Sequence, residues 1–168
     1  LDTEEIPMLT TDGTDSVYYF KNADGEQLMA IGHYNDDEAQ EMLELVNQYR
    51  SSIDMPTFEM TSTQMNDFVA LRAVETSYLW DHTRPNGAPT RYAENIAMGN
   101  PDLKGNNPSV QQIFDAWLNS PGHKSNLDAS RTLNLTGISV FYKRNPIYKD
   151  GVETGSYVYT GYWVEIFK

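Results

Sequence analysis

The chain has 168 residues, 24 acidic and 12 basic, giving a formal net charge of −12, with no cysteine and with 39% hydrophobic and 12% aromatic residues, enough apolar material for the core of one domain. Without clustered Lys or Arg such an acidic chain is a poor partner for phosphate backbones, which excludes nucleic acid binding. No apolar run approaches the ~20 residues that span a bilayer as a helix, and the lack of cysteine removes disulfides, thiolate zinc sites and thiol nucleophiles.

The charge is uneven. Residues 1–60 hold 14 acidic and 2 basic side chains, whereas residues 61–168 hold 10 of each. Residues 1–15 are polar and acidic and read as a loosely held leader. Val17–Phe20 and Gln27–Ile31 flank Asn22-Ala-Asp24-Gly25, which predicts a β-hairpin. Residues 1–35 therefore read as an acidic leader and hairpin extension, and residues 36–168 as the main domain. Leu1 is not preceded by a basic segment and an apolar one. The expectation is an exported protein whose signal peptide has been removed.

Asn35 or Asp36 caps a helix predicted over Asp37–Ser51, with acids at 36–38 where the positive helix end favours them. Ala39, Met42, Leu43 and Val46 form its apolar stripe. A second helix follows a cap at Thr61, Ser62 or Thr63. Met65, Phe68, Val69, Ala73, Thr76 and Leu79 face its core side, and it ends near Trp80. Residues 83–109 are rich in Pro, Gly and Asn and predict a loop, with one short ordered piece over Tyr92–Met98. Pro108-Ser109 opens a third helix, Val110–Asn119, which Pro121-Gly122 ends. Leu133–Lys143 and Tyr157–Phe167 are rich in β-branched and aromatic residues and predict two long strands of a hairpin. Residues 144–155 connect them. Both strands are apolar on both faces, so the sheet is expected to be covered on each side. The fold class is α+β, a three-layer α-β-α sandwich around a mainly antiparallel sheet.

Titratable side chains suited to chemistry are few in the neutral stretch. His82 follows the second helix, Glu94 lies in the ordered piece, and His123 lies after the third helix. Two imidazoles and a carboxylate suit Zn²⁺ or another first-row divalent ion. Their intervals of 12 and 29 residues match no helix-face motif, and each His also reads as a surface or hydrogen-bonded loop residue. Ser120, His123 and Glu94 can be written as a hydrolase triad. No G-x-S-x-G elbow accompanies them, and Ser120 before Pro121 is equally a helix-end or cap residue. Glu75 reads as a structural acid paired with Arg72, Arg84 or loop amides, or as a catalytic carboxylate. Asn126 reads as a brace for the loop around His123, and His33 as an ordinary exposed residue.

Three motifs occur in order: His82-x-Arg84-Pro85-x-Gly87, Glu94-Asn95-Ile96-Ala97, and Trp117-x-x-Ser120-Pro121-Gly122-His123-x-x-Asn126. They resemble those of the CAP superfamily of cysteine-rich secretory proteins, antigen 5 and plant pathogenesis-related proteins, in its bacterial SCP-like extracellular branch. Asn47-x-x-Arg50, Arg72-Ala73-x-Glu75, Gly137–Val140 and Trp163–Phe167 extend the resemblance over residues 38–168. The resemblance implies the α-β-α sandwich and a cleft lined by two His and two acids that binds divalent metal in some members. By position the metal residues are His82, His123 and Glu94, with Glu75, Arg84, Asn95, Ser120 and Asn126 supporting the cleft. The family's second acid falls at Ser120, so the tetrad is incomplete and a weaker metal site is expected.

The expected function is that of an extracellular or cell-surface module without catalysis. Its cleft would take a divalent ion, Zn²⁺ first, or a small ligand, with no nucleotide or organic cofactor. The partner is an unidentified extracellular ligand or protein, and the chain is expected to be a monomer. The alternative is a metal-dependent hydrolase. Its His-bound metal water would attack a peptide-like substrate with Glu94 as general base, and the candidate catalytic residues are Glu94 and, through the triad reading, Ser120.

Overall fold

A computed structural model describes residues 4–7, 15–60, 63–129 and 133–168. The expected caps Thr61 and Ser62, the Met65 side chain and most of the leader lie outside the described residues. Within them the elements run β1 (Glu4–Pro7), β2 (Ser16–Lys21), β3 (Gln27–Tyr34), α1 (Asp36–Ser52), β4 (Glu59–Met60), α2 (Thr63–Thr76), β5 (Ala93–Gly99), α3 (Val110–Leu118), α4 (Pro121–Leu127), β6 (Leu135–Lys149) and β7 (Val152–Phe167).

The strands form one sheet in the order β1-β2-β3-β6-β7-β5, antiparallel throughout, with β4 parallel to β6. The first hairpin is part of this sheet, because β3 pairs with β6 from Gly32↔Lys143 to Tyr34↔Phe141. The leader is not wholly loose: Glu4–Pro7 pairs with β2 and occupies its otherwise open edge. Gly32 is required where it stands, since a Cβ there would lie 2.0 Å from the Tyr142 carbonyl oxygen.

The second hairpin is longer than the sequence suggests. β6 and β7 continue through the stretch read as a connecting loop, and the turn is Asp150-Gly151, both at positive φ (53° and 80°). Pro146 is accommodated beside a register shift at Pro146/Tyr148, in an exposed part of the ladder where a missing N–H costs little.

Side chains alternate across the sheet into two cores. Ile138, Val140, Tyr142, Trp163 and Phe167 pack with α1, α3 and α4. Phe141, Val164 and Ile166 pack with Val69, Ala73 and Val74 of α2 and with Phe20 of β2. Helix ends are set locally. Asn35 Oδ1 accepts from Glu38 N–H (3.0 Å) at the start of α1. Ser109 and Gln112 form a capping box on α3. α2 ends at Thr76, earlier than expected, and the chain turns at Ser77–Tyr78 before reaching His82.

Two side chains of α1 hold the loop that follows it, and one of them also holds the end of α4. Asn47 exchanges two hydrogen bonds with the Phe58 backbone (2.8 and 2.9 Å). Fully buried Arg50 donates to the carbonyls of Pro56, Leu127 and Ala129 and lies 3.9 Å over the Phe58 ring. The loop after α1 and the end of α4 are thereby tied to one guanidinium fork.

Candidate functional site

β5 is the edge strand, and the three sequence motifs meet on it. The region expected to be loop with one ordered piece supplies this strand, and its alternation divides the roles. Glu94 and Ile96 lie toward α2, while Asn95 and Ala97 lie toward α3 and α4. The outward carbonyls of the strand are capped by side chains. Trp117 Nε1 donates to Ile96 O (3.1 Å) and Asn126 Nδ2 to Glu94 O (3.4 Å). Asn126 Nδ2 also donates to Asn95 Oδ1 (2.8 Å), and Asn95 Nδ2 donates to the His123 carbonyl (3.1 Å). Buried Asn95 thus fastens the first turn of α4 to the edge strand and holds His123 beside it.

On the α2 side a chain of alternating charge leads out to solvent. Arg84 grips both oxygens of Glu75 (2.9–3.2 Å), and Arg72 Nη1 donates to Glu75 Oε1 (2.9 Å). Arg72 then donates from Nε and Nη2 to the two oxygens of Glu94 (2.8 and 2.9 Å), and from Nη2 to the Asp81 carbonyl (3.1 Å). His82 Nδ1 lies 3.0 Å from Glu94 Oε1. The two Arg and two Glu are buried, whereas the His82 side chain is 57% exposed. Two cations against two anions make the buried part neutral, and the bidentate forks fix its geometry. Burial alone would lower the Arg72 guanidinium, but Glu94 and Glu75 outweigh it and hold the group above its ordinary value.

With Nδ1 on Glu94, His82 has Nε2 left toward solvent. His123, half-buried on α4, is lowered from its ordinary value, first by desolvation and then by the charge of His82. His82 is thus near enough to His123 for its charge to act on it. Glu75 reaches neither; it anchors the network through Arg72 and Arg84. Ser120 stands at the N-cap position of α4 with no side-chain cap bond, and its carbonyl accepts from Lys124 N–H (2.8 Å). Among the described residues its hydroxyl meets no His or Glu. No group of three or more His, Asp or Glu side chains able to hold a metal ion occurs among them either. With both Glu94 oxygens bonded to Arg72, Glu94 braces His82 from behind, and the two imidazoles are the donors that a divalent ion would have to use there.

His33 is not the ordinary exposed residue the sequence suggests. Its Nδ1 lies 2.8 Å from Asp15, whose side chain is fully buried. The partner lies 18 positions earlier, at the end of what reads as a leader, so no local pattern reveals it.

No helix among the described residues is long and apolar enough to cross a membrane. No protein-family model matches the sequence, and no curated protein sequence matches it. In structure the chain is similar to an outer surface protein from Borrelia burgdorferi, with a TM-score of 0.54 and 17% identity over 82% of this chain and 98% of that one. It is also similar to a cysteine-rich secretory protein from Staphylococcus aureus, with a TM-score of 0.43 and 12% identity over 96% of this chain and 57% of that one. The chain therefore has an α+β fold built on an antiparallel sheet, shared with the Borrelia protein.

Proposed function

We propose that this protein is an extracellular, non-catalytic binding module of the CAP type, its helices and sheet layered α-β-α, acting as a monomer on an extracellular ligand or protein. The likeness in fold to an outer surface protein is in keeping with that location. A cleft at the β5 edge would hold a divalent ion, Zn²⁺ first, through His82 Nε2 and His123, with water in the remaining positions. The ion would supply a Lewis-acidic point that recognises an anionic or carbonyl oxygen of a ligand. The observation that carries this reading is the fixing of His82 by the buried Arg72–Glu94 pair. That arrangement sets the tautomer and leaves the outer nitrogen available.

The same pair speaks against the hydrolase alternative. A general base needs a lone pair within reach of the water it deprotonates. Glu94 Oε1 accepts from Arg72 and meets His82, Oε2 accepts from Arg72, and the side chain is only 2% exposed, so the lone pair left on Oε2 has little access to water. Among the described residues no base stands beside the Ser120 hydroxyl.

Zn²⁺ titration followed by imidazole NMR tests the site, with the third histidine as internal control. His82 and His123 resonances are expected to move together while His33 stays in place. Movement of His33 alone, or of none, refutes the proposed ligands. A screen of peptides and esters with and without Zn²⁺ is expected to show no turnover. Turnover abolished by Glu94→Gln in a folded protein would reinstate the hydrolase.

A further inference from the structure

A second feature lies away from this cleft, separated from β5 by β6 and β7 in the sheet. A cavity of about 350 Å³ opens beside His33 on β3, where the starts of α1 and α3 approach the β6–β7 ladder. That volume falls within the ~300–1,000 Å³ common for small-molecule sites. Its walls are the rings of Tyr142, Tyr159 and His33, and its polar groups come from Asn35, Glu38 and Asn107.

The walls are held from behind. The buried carboxylate of Asp15 takes His33 Nδ1 (2.8 Å) on one oxygen. The other oxygen accepts from Tyr159 OH (2.9 Å) and lies 3.7 Å from Arg144 Nη1. Arg144 in turn lies 4.2 Å over the Tyr157 ring. The His33 ring stacks on Tyr142 (5.7 Å, 25°) and meets Tyr159 edge-on (4.9 Å, 62°). Tyr142 OH donates to Glu38 Oε1 (2.5 Å). Asn107 is fixed by its Nδ2 donating to the Tyr159 carbonyl (2.6 Å). A buried carboxylate and three fixed aromatic rings make a preorganised pocket.

Each polar group keeps one function for the cavity. Asn35 Oδ1 caps α1, leaving Nδ2 as a donor. Glu38 uses Oε1, leaving Oε2 as an acceptor. Asn107 uses Nδ2, leaving Oδ1 as an acceptor. His33 uses Nδ1, leaving Nε2. Among the described residues none of these remaining atoms meets a partner.

We propose that this cavity binds a neutral saccharide of one or two rings. The chemistry selects that class. Half-buried Glu38 at the cavity and Asp15 behind it disfavour an anion, and Arg144, which lies behind Asp15 with its Nη1 buried and without a hydrogen bond, does not line the cavity. An ammonium ion only donates, so it would leave the Asn35 amide nitrogen without an acceptor. A sugar hydroxyl both donates and accepts, which satisfies Asn35, Glu38 and Asn107 together. The C–H face of the sugar ring then lies on tyrosine, whose rings offer an apolar body beside polar tips.

The test is NMR titration of the full chain with glucose, galactose, mannose, N-acetylglucosamine, cellobiose and chitobiose, each to its solubility limit, and with tetramethylammonium for comparison. At least one sugar is expected to shift the His33 and Tyr159 ring signals saturably, leaving His82 and His123 unmoved. Glu38→Gln is close to isosteric and keeps an oxygen for Tyr142, and Asn107→Ala removes the opposite acceptor. Each is expected to weaken that sugar roughly fivefold or more, the loss of about one hydrogen bond. Unchanged thermal melting identifies the variants as folded, and His33→Phe provides a third variant that keeps the ring stacking. Saturation by no sugar, tighter binding of tetramethylammonium, or sugar binding unaffected in every folded variant overturns the proposal.

Discussion

Glu165→Gln is expected to gain stability relative to the wild type as pH rises. Glu165 lies on β7, fully buried among the residues under α1, and burial pushes its carboxyl up to about 8 despite the opposing effects of Thr136 and Arg50. The hydrogen bonds agree with a protonated carboxyl. Thr136 Oγ1 is within bonding distance of both Glu165 Oε2 (2.8 Å) and the Ile166 carbonyl (2.9 Å). One hydroxyl proton serves only one acceptor, so both contacts are satisfied when Glu165 donates to Thr136 and Thr136 donates to Ile166. A glutamine amide reproduces that donation but brings a second N–H into a buried site where Glu165 Oε1 has no hydrogen-bond partner among the described residues, a cost that does not vary with pH. Because the folded value lies above the ordinary 4.5, both folded and unfolded chains hold the proton below pH 4.5, and the two proteins should differ there only by that fixed cost. Between pH 4.5 and about 8 only the unfolded wild type releases it. Wild-type stability then falls relative to the variant by up to about 1.4 kcal/mol per pH unit. The pH-dependent part of the difference is on the order of 3–5 kcal/mol by pH 8. Urea unfolding of both proteins from pH 4 to pH 9 measures it. Parallel stability curves, or a variant that loses ground as pH rises, would refute the protonated-carboxyl account.

Arg72→Met should cost about 3–5 kcal/mol in urea unfolding, because it leaves Glu94 and Glu75 buried without their shared cation. Adding Glu94→Gln to that variant should restore part of the loss, and strict additivity would contradict the coupled network. His123 should titrate below its ordinary value of 6.5 by NMR, and His82→Ala should move the midpoint back only part of the way, since desolvation is the larger cause. Because the folded value is lowered, the unfolded chain takes the proton first, and this residue's contribution to stability should fall as pH drops below about 6.5.

Local signals gave the elements, and long-range pairing gave the site. The caps at Asn35 and Ser109 and the apolar stripe of α1 were readable because the interactions span one helical turn. The His82, Glu94 and His123 motifs were visible as residue types, but their convergence depends on β5 being an edge strand whose carbonyls are capped by Trp117 and Asn126. No spacing rule encodes that. The commitment of Glu94 to Arg72 joins residues 22 apart through tertiary packing of α2. The Asp15–His33 pair has no local signature for a similar reason, and the stretch through Asn145-Pro146 reads as loop because proline usually interrupts a ladder. The acids of residues 1–60 have mixed fates. Asp36 and Asp37 lie exposed at the start of α1, whereas Asp15 is buried as an anchor.

The cleft reading rests on His82 and His123 acting together at the β5 edge. Calorimetric titration of Zn²⁺ into the wild-type chain and into the His82→Ala/His123→Ala double variant, in magnesium-containing buffer to occupy surface carboxylates, should give one saturable site in the first and none in the second. Equal Zn²⁺ binding by both proteins, or no saturable binding by the wild type, would contradict it.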